Sequence, residues 1–311
     1  MTSVQSETVA SFRPSFPLVE AKLQSPAPRP GTVDRSRLLR LLTDASGPRI
    51  VSLIAPPGYG KTTLLAQWAA RERRPVAWLT LDTLDNDPGI LVAYLAAAFD
   101  RIQPIDGSIA DGLTGSGERV LRSAVPRLAS SLGRWRRPAV LILDDAHRLV
   151  DRASLDALVA LFDHLPPGTR VAIAGRAEPD LPFARYRAQR DLLEVGPGLL
   201  ALDEDETAAL TAGAGFPLDP DAVRSLAART EGWAAGTYLA CLALGRGDPQ
   251  AGPIGDVSGA DRHIAAYIRS EVGSHLDDQD LAFLMRTSVL ETITPASPRP
   301  SPGCPGPESV W

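Results

Sequence analysis

The stretch Ile50 to Leu65, I-V-S-L-I-A-P-P-G-Y-G-K-T-T-L-L, decides how the chain is read. Ile50 to Ile54 is a short apolar, β-branched run, the mark of a strand buried on both faces. Pro56-Pro57-Gly58-Tyr59-Gly60 breaks it, and a helix is predicted from Lys61. Strand, glycine loop and helix in this order form a phosphate-binding P-loop. The pattern G-x-x-x-x-G-K-[ST] is met at Gly60, Lys61 and Thr62, with Ala55 in place of the first glycine. A small residue is tolerated there if its φ is not forced positive. Gly58 and Gly60 let the backbone curl so that successive N–H groups face phosphate oxygens. The helix N-terminus adds a positive dipole end. Lys61 supplies a point charge for the β- and γ-phosphates, and the Thr62 hydroxyl is a ligand for Mg²⁺. The candidate nucleotide-binding residues of the loop are Pro57, Gly58, Tyr59, Gly60, Lys61, Thr62 and Thr63.

Downstream, Ala139 to Leu143 is a second buried strand, A-V-L-I-L, closing on Asp144-Asp145. An apolar run that ends in an acid after a P-loop reads as a Walker B strand. Asp144 is then the Mg²⁺ carboxylate, and Asp145 the residue that orients or deprotonates an attacking water. Side chains alternate along a strand, so the two acids are expected to point to opposite sides. Val76 to Leu81, Arg170 to Ala174 and Leu192 to Val195 are further strands, with helices between them. That alternation requires a doubly wound parallel sheet with right-handed crossovers. Its ligand sits at the carboxyl ends of the strands, where Ala55, Asp82, Asp144 and Arg176 all fall. Arg176 is read as a γ-phosphate sensor. Two charged stretches have plainer alternatives. Asp82, Asp85 and Asp87 are either metal contacts or a solvated turn with a helix cap at Asp87-Pro88. Arg134, Arg136 and Arg137 either meet phosphate or a partner, or are a solvated strand entry. Further back, Asp34 is the expected cap of a short helix from Arg35 to Leu42.

The chain has 311 residues, 44% hydrophobic and 22% charged, enough for one large domain and a smaller one. A net charge of −5 leaves no chain-wide basic footprint for nucleic acid. Two cysteines, Cys241 and Cys304, make no disulfide framework, and a reducing cytoplasm fits. No apolar run approaches the roughly 18 residues of a membrane span. Residues 1–30 read as a flexible leader, 31–200 as the P-loop domain and 201–248 as a small helical domain. A Gly-rich linker over 245–259 precedes helices near 264–272 and 278–288, and the Pro-rich stretch 295–311 reads as disordered.

Taken together these residues resemble the ATPase module of MalT-type, LuxR-family regulators, which are STAND-class P-loop ATPases. The resemblance rests on Lys22-Leu23, Val33-Asp34-Arg35, the P-loop, Asp85-Asn86-Asp87, Leu143-Asp144-Asp145 with His147, and Gly175-Arg176. It ends in Glu231-Gly232-Trp233 and Arg286-Thr287-Ser288-Val289-Leu290. It implies a five-stranded sheet of order 5-1-4-3-2, a helical lid and the start of a winged helix over 260–294. It implies that Val33 and Arg35 lie in the segment lining the adenine, and that Gly232-Trp233 belongs to a domain closing over the nucleotide. The expected function is an ATP/ADP switch with Mg²⁺, slow in hydrolysis because Asp145 is shorter than the usual glutamate. Self-association in the ATP state is expected, with no direct DNA binding. The alternative is an AAA+-like ATPase coupling turnover to remodelling. The sensor and helix-turn-helix of such regulators have no counterpart in this sequence, whose Pro-rich end reads as a truncation or an out-of-frame tail.

Overall fold

The computed structural model describes residues 12–29, 31–44, 46–245, 262–271 and 278–287. Its centre is a sheet of β1 (Ile50–Ile54), β2 (Val76–Thr80), β3 (Val140–Asp144), β4 (Arg170–Gly175) and β5 (Leu192–Val195). The strand order β2-β3-β4-β1-β5 is the expected one read from the other edge, and every adjacent pair is parallel. Alternating side chains feed two separate cores. Leu79, Leu141, Leu143, Val171 and Ile173 fill one, while Val51, Leu53, Trp78, Ile142 and Ala172 fill the other. Burial on both faces is why the strands read as unbroken apolar runs.

One face is covered by α1 (Ser36–Thr43) and α2 (Lys61–Arg71). The other carries α3 (Pro88–Asp100), α4 (Gly117–Gly133), α5 (Arg152–Asp163) and α6 (Phe183–Ala188). The short α7 (Pro197–Leu200) returns to the first face through buried Leu200. Then α8 (Glu204–Gly213), α9 (Pro220–Thr230) and α10 (Ala234–Gly245) pack on one another. The chain divides into two compact units, residues 1–264 and 265–311. Two more helices, α11 (Arg262–Glu271) and α12 (Asp278–Thr287), occur where helices are expected. The expected linker, apart from Gly245 in α10, and the Pro-rich end lie outside the described residues.

The structure corrects two expectations and decides between two readings of a third stretch. Asp34 is not the cap of α1: that place falls to Arg35, and the Asp34 carboxylate instead takes 2.8 and 2.9 Å bonds from Arg71. The acidic stretch after β2 is a set of caps. Asp82 and Asp85 close a capping box on the turn Thr83–Asn86, and Asp87 accepts from Gly89 and Ile90. Asp85 is nonetheless not solvated: its side chain is 0% exposed. Finally, residues 12–23 are not a free leader. Phe12 and Leu23 are buried in the core beneath β2 and α3, and Lys22 reaches Asp85 at 2.7 Å and Asp82 at 3.1 Å. The ammonium also lies 4.1 Å from the centre of the Tyr94 ring.

Burial raises the Asp85 carboxyl above its ordinary pKa, against the pull of Lys22. Removing one partner of such a pair strands a charge in the interior. Lys22→Met is therefore expected to lower stability by about 3 kcal/mol in urea unfolding. Lys22→Met with Asp85→Leu should recover most of the loss, since no charge then remains buried. A single variant as stable as the parent would show that the amino-terminal segment does not fasten the fold.

Candidate functional site

A parallel sheet brings the carboxyl ends of all its strands to one edge. Here that edge carries the loop after β1, Asp144 at the end of β3 and Arg176 just past β4. β1 is an interior strand, with β4 and β5 on either side, so the P-loop leaves from within the edge. Gly58 and Gly60 take left-handed φ values of 84° and 77°. The turn into α2 thus depends on residues without a Cβ. A Cβ on Gly58 would also lie 2.5 Å from the Trp233 indole nitrogen and 2.6 Å from Ala235.

Lys61 opens α2 and is buried, donating to the carbonyls of Ala55 at 2.6 Å and Pro56 at 3.0 Å. Burial lowers its pKa, while Asp144 and Asp145 pull it back up. Thr62 Oγ1 donates to Asp144 Oδ2 at 2.7 Å, tying the P-loop helix to β3. Asp144 Oδ1 accepts from the Asp145 backbone N–H. The Asp144 carboxyl is raised above its ordinary pKa by burial first; the Thr62 hydroxyl opposes this and neighbouring Asp145 adds to it. Thr62 and Asp144 thus present hard oxygens side by side at the phosphate loop, a donor set that fits Mg²⁺. No group of three or more His, Cys, Asp or Glu could hold a metal among the described residues.

Asp145 departs from expectation. It is not the next strand residue but a left-handed one, with φ 58°. Strand alternation therefore does not set its direction; the turn does. Its carboxylate is partly exposed and lies 3.9 Å from His147 Nδ1. Burial holds His147 below its ordinary pKa, opposed by Asp145, so the imidazole is neutral near pH 7. Arg176 belongs to the same cluster, since its charge lowers the pKa of both Lys61 and His147.

The other candidates are distributed around this group. Tyr59 packs on the core beside α1 and α2, and Thr63 is exposed on the first turn of α2. The Val33 carbonyl takes a 2.6 Å bond from Gln67. Arg35 is buried and turned to the helical segment: it meets Glu206 at 3.0 Å and the Leu200 carbonyl at 2.7 Å. The resemblance put Gly232-Trp233 in a domain closing over the nucleotide, but sequence reasoning did not give that segment's contacts. Trp233 Nε1 donates to the Pro57 carbonyl at 3.0 Å, and the Ala235 N–H to the Gly58 carbonyl at 3.0 Å. Gly232, with φ 69°, makes room for this: a Cβ there would lie 2.5 Å from the Leu202 carbonyl. The Glu231-Gly232-Trp233 string was the only sequence signal for it.

Residues 33–173 match the AAA ATPase domain family. Sheet, loop and this match define the class: the chain is a P-loop ATPase module. Curated relatives narrow it to the MalT type. The chain is 31% identical to the HTH-type transcriptional regulator MalT of Yersinia enterocolitica over 285 residues, 90% of this chain and 31% of that protein. It is 30% identical to MalT of Cronobacter sakazakii, again over 90% of this chain and 31% of the relative. The chain thus spans about a third of the length of these relatives. Among solved structures, a Walker-type ATPase of Pyrococcus abyssi shares the fold, with a TM-score of 0.50 at 14% identity, covering 83% of this chain and 77% of that one. No helix among the described residues is long and apolar enough to cross a membrane.

The raised pKa of Asp144 carries a stability consequence. A carboxyl whose folded pKa lies above its unfolded one stabilises the fold at low pH and loses that contribution as pH rises through the folded value. Asp144→Asn, which stays neutral, should therefore raise the thermal midpoint of the nucleotide- and Mg²⁺-free protein at pH 8. The advantage should shrink as pH is lowered toward 4.5. A difference that stays constant over that range would mean the carboxylate is not held at a cost.

Proposed function

We propose that this module binds ATP and ADP with Mg²⁺, hydrolyses ATP slowly, and serves as the STAND-type switch of a MalT-like transcriptional regulator. The observation that carries the reading is the pair of hydrogen bonds from Trp233 and Ala235 to the P-loop carbonyls of Pro57 and Gly58. The loop that cradles phosphates is also the loop on which the helical segment rests. A change in the phosphates can bias that docking only through different contacts in the two nucleotide states.

On this reading, α8 to α10, within the expected helical domain over 201–248, are a lid; of the expected winged-helix start over 260–294 only 262–271 and 278–287 lie among the described residues. The backbone amides from Gly58 to Thr63 and the Lys61 ammonium hold the β- and γ-phosphates. Thr62 and Asp144 hold Mg²⁺, which when bound neutralises charge developing on the phosphates. Asp145 accepts a proton from, or orients, the attacking water, with Arg176 beside the γ-phosphate. Val33 and Arg35 belong to the segment on the adenine side, where Arg35 also pairs with Glu206 of α8. The switch reading is favoured over a remodelling engine by Asp145. Its short, partly exposed side chain leaves a left-handed turn and has only a 3.9 Å approach to His147 to steady it. A loosely held base does little to speed proton transfer. Self-association in the ATP state, and a cytoplasmic setting without direct DNA contact by this module, complete the proposal.

Single-turnover hydrolysis, measured beside nucleotide affinity, tests it. Asp144→Asn should impair Mg²⁺-dependent ATP affinity. Asp145→Asn should leave affinity largely intact and slow hydrolysis by about a hundredfold. Hydrolysis at the parent's rate in Asp145→Asn would remove Asp145 from the role of base.

A further inference from the structure

The arginines that precede β3 are exposed, and they gather around one concavity. Arg134, Arg136 and Arg137 line one cavity of about 660 Å³ with Arg73, Arg74 and Trp135. Arg73 and Arg74 come from the turn before β2, and the other three from the turn before β3. These adjacent parallel strands start at this edge, so the cavity lies at the end of the sheet opposite the P-loop. Five arginines thus line one concavity in a chain whose net charge is −5.

The plain explanation is that arginines here neutralise the carbonyl ends of α2, α3 and α4, which finish nearby. The contacts do not bear it out. Among the described residues, the side chains of Arg73, Arg134, Arg136 and Arg137 have no hydrogen bond to a carbonyl and no carboxylate within 4.0 Å. The nearby acids are engaged elsewhere. Glu72 binds Arg74 and the Trp68 indole; burial raises its pKa, but these bonds outweigh it and hold it at about 2. Asp100 accepts from the Ile105 backbone. Only Arg74 of the five is paired. Asp106 is the acid that feels Arg134, beyond ion-pair distance; the four clustered positive charges otherwise repel one another, and an anion that enters the cavity relieves that repulsion.

We propose that this cavity is a second anion site, distinct from the P-loop, for a small, multiply charged phosphate compound. Guanidinium forks match phosphate oxygens in pairs, which lysine cannot do. The volume falls in the range of small-molecule sites. The arginines converge on a concavity from two turns, whereas nucleic acid is followed by a basic stripe along a surface. Arg134, Arg136 and Arg137 are exposed, so they can be replaced without opening the core.

Sodium tripolyphosphate is the probe, followed by calorimetry at low salt. The background is Lys61→Ala, which removes the P-loop lysine and so weakens the competing phosphate site. Tripolyphosphate should still bind this protein. Adding Arg134→Ala and Arg136→Ala should weaken binding roughly tenfold to a hundredfold. Arg134→Lys with Arg136→Lys, which keeps the charge and loses the forks, should weaken it less. Circular dichroism confirms that each variant is folded. Three results would overturn the proposal: no binding in the Lys61→Ala background, unchanged affinity without the two arginines, or displacement of tripolyphosphate by duplex DNA at a lower concentration than tripolyphosphate itself needs. The last would make the face a nucleic-acid surface instead.

Discussion

Two carbonyl oxygens, those of Pro57 and Gly58, join the phosphate loop to the helices that follow the sheet. The arrangement depends on backbone that only glycine adopts cheaply. Gly58 must be left-handed for the loop to turn, and it must lack a Cβ for Trp233 and Ala235 to come close. Gly232 must be left-handed for the chain to present Trp233 at all. The same few residues thus shape the phosphate cradle and the surface against which α10 begins. A shift in one cannot leave the other untouched, because interfaces packed this closely have few intermediate arrangements.

Electrostatics adds a second layer of coupling. Lys61, Thr62, Asp144, Asp145, His147 and Arg176 form one interacting group at the carboxyl edge of the sheet. Burial pushes Asp144 up and Lys61 down, so both charges are held against their preference for water. A site of this kind gains most when a cation meets the carboxylate and phosphates meet the ammonium. The Arg35–Glu206 pair extends the link to α8, and Arg35 also reaches the Leu200 carbonyl at the end of α7.

Much of this was legible in the sequence, and the limits have physical causes. The five strands stand out because burial on both faces leaves apolar runs bounded by Gly, Pro and charge. The P-loop stands out because phosphate binding demands glycines, lysine and a hydroxyl at fixed offsets. Contacts between distant segments leave no such trace. Lys22 finds Asp85 across 63 residues, and Trp233 finds Pro57 across 176; neither spacing is periodic. Asp34 has the composition of a cap, but Arg71 on α2 claims its carboxylate. Asp145 reads as a strand residue from its neighbours, and only its φ of 58° shows that the strand has ended.

The central claim is that the helical segment rests on the phosphate loop and that nucleotide state alters that contact. Amide hydrogen exchange at Ala235, whose N–H donates to the Gly58 carbonyl, reports the contact directly. Measured with ADP and with a non-hydrolysable ATP analogue, both with Mg²⁺, the Ala235 amide should be protected with ADP and exchange at least tenfold faster with the analogue. Equal protection in the two states would contradict the account.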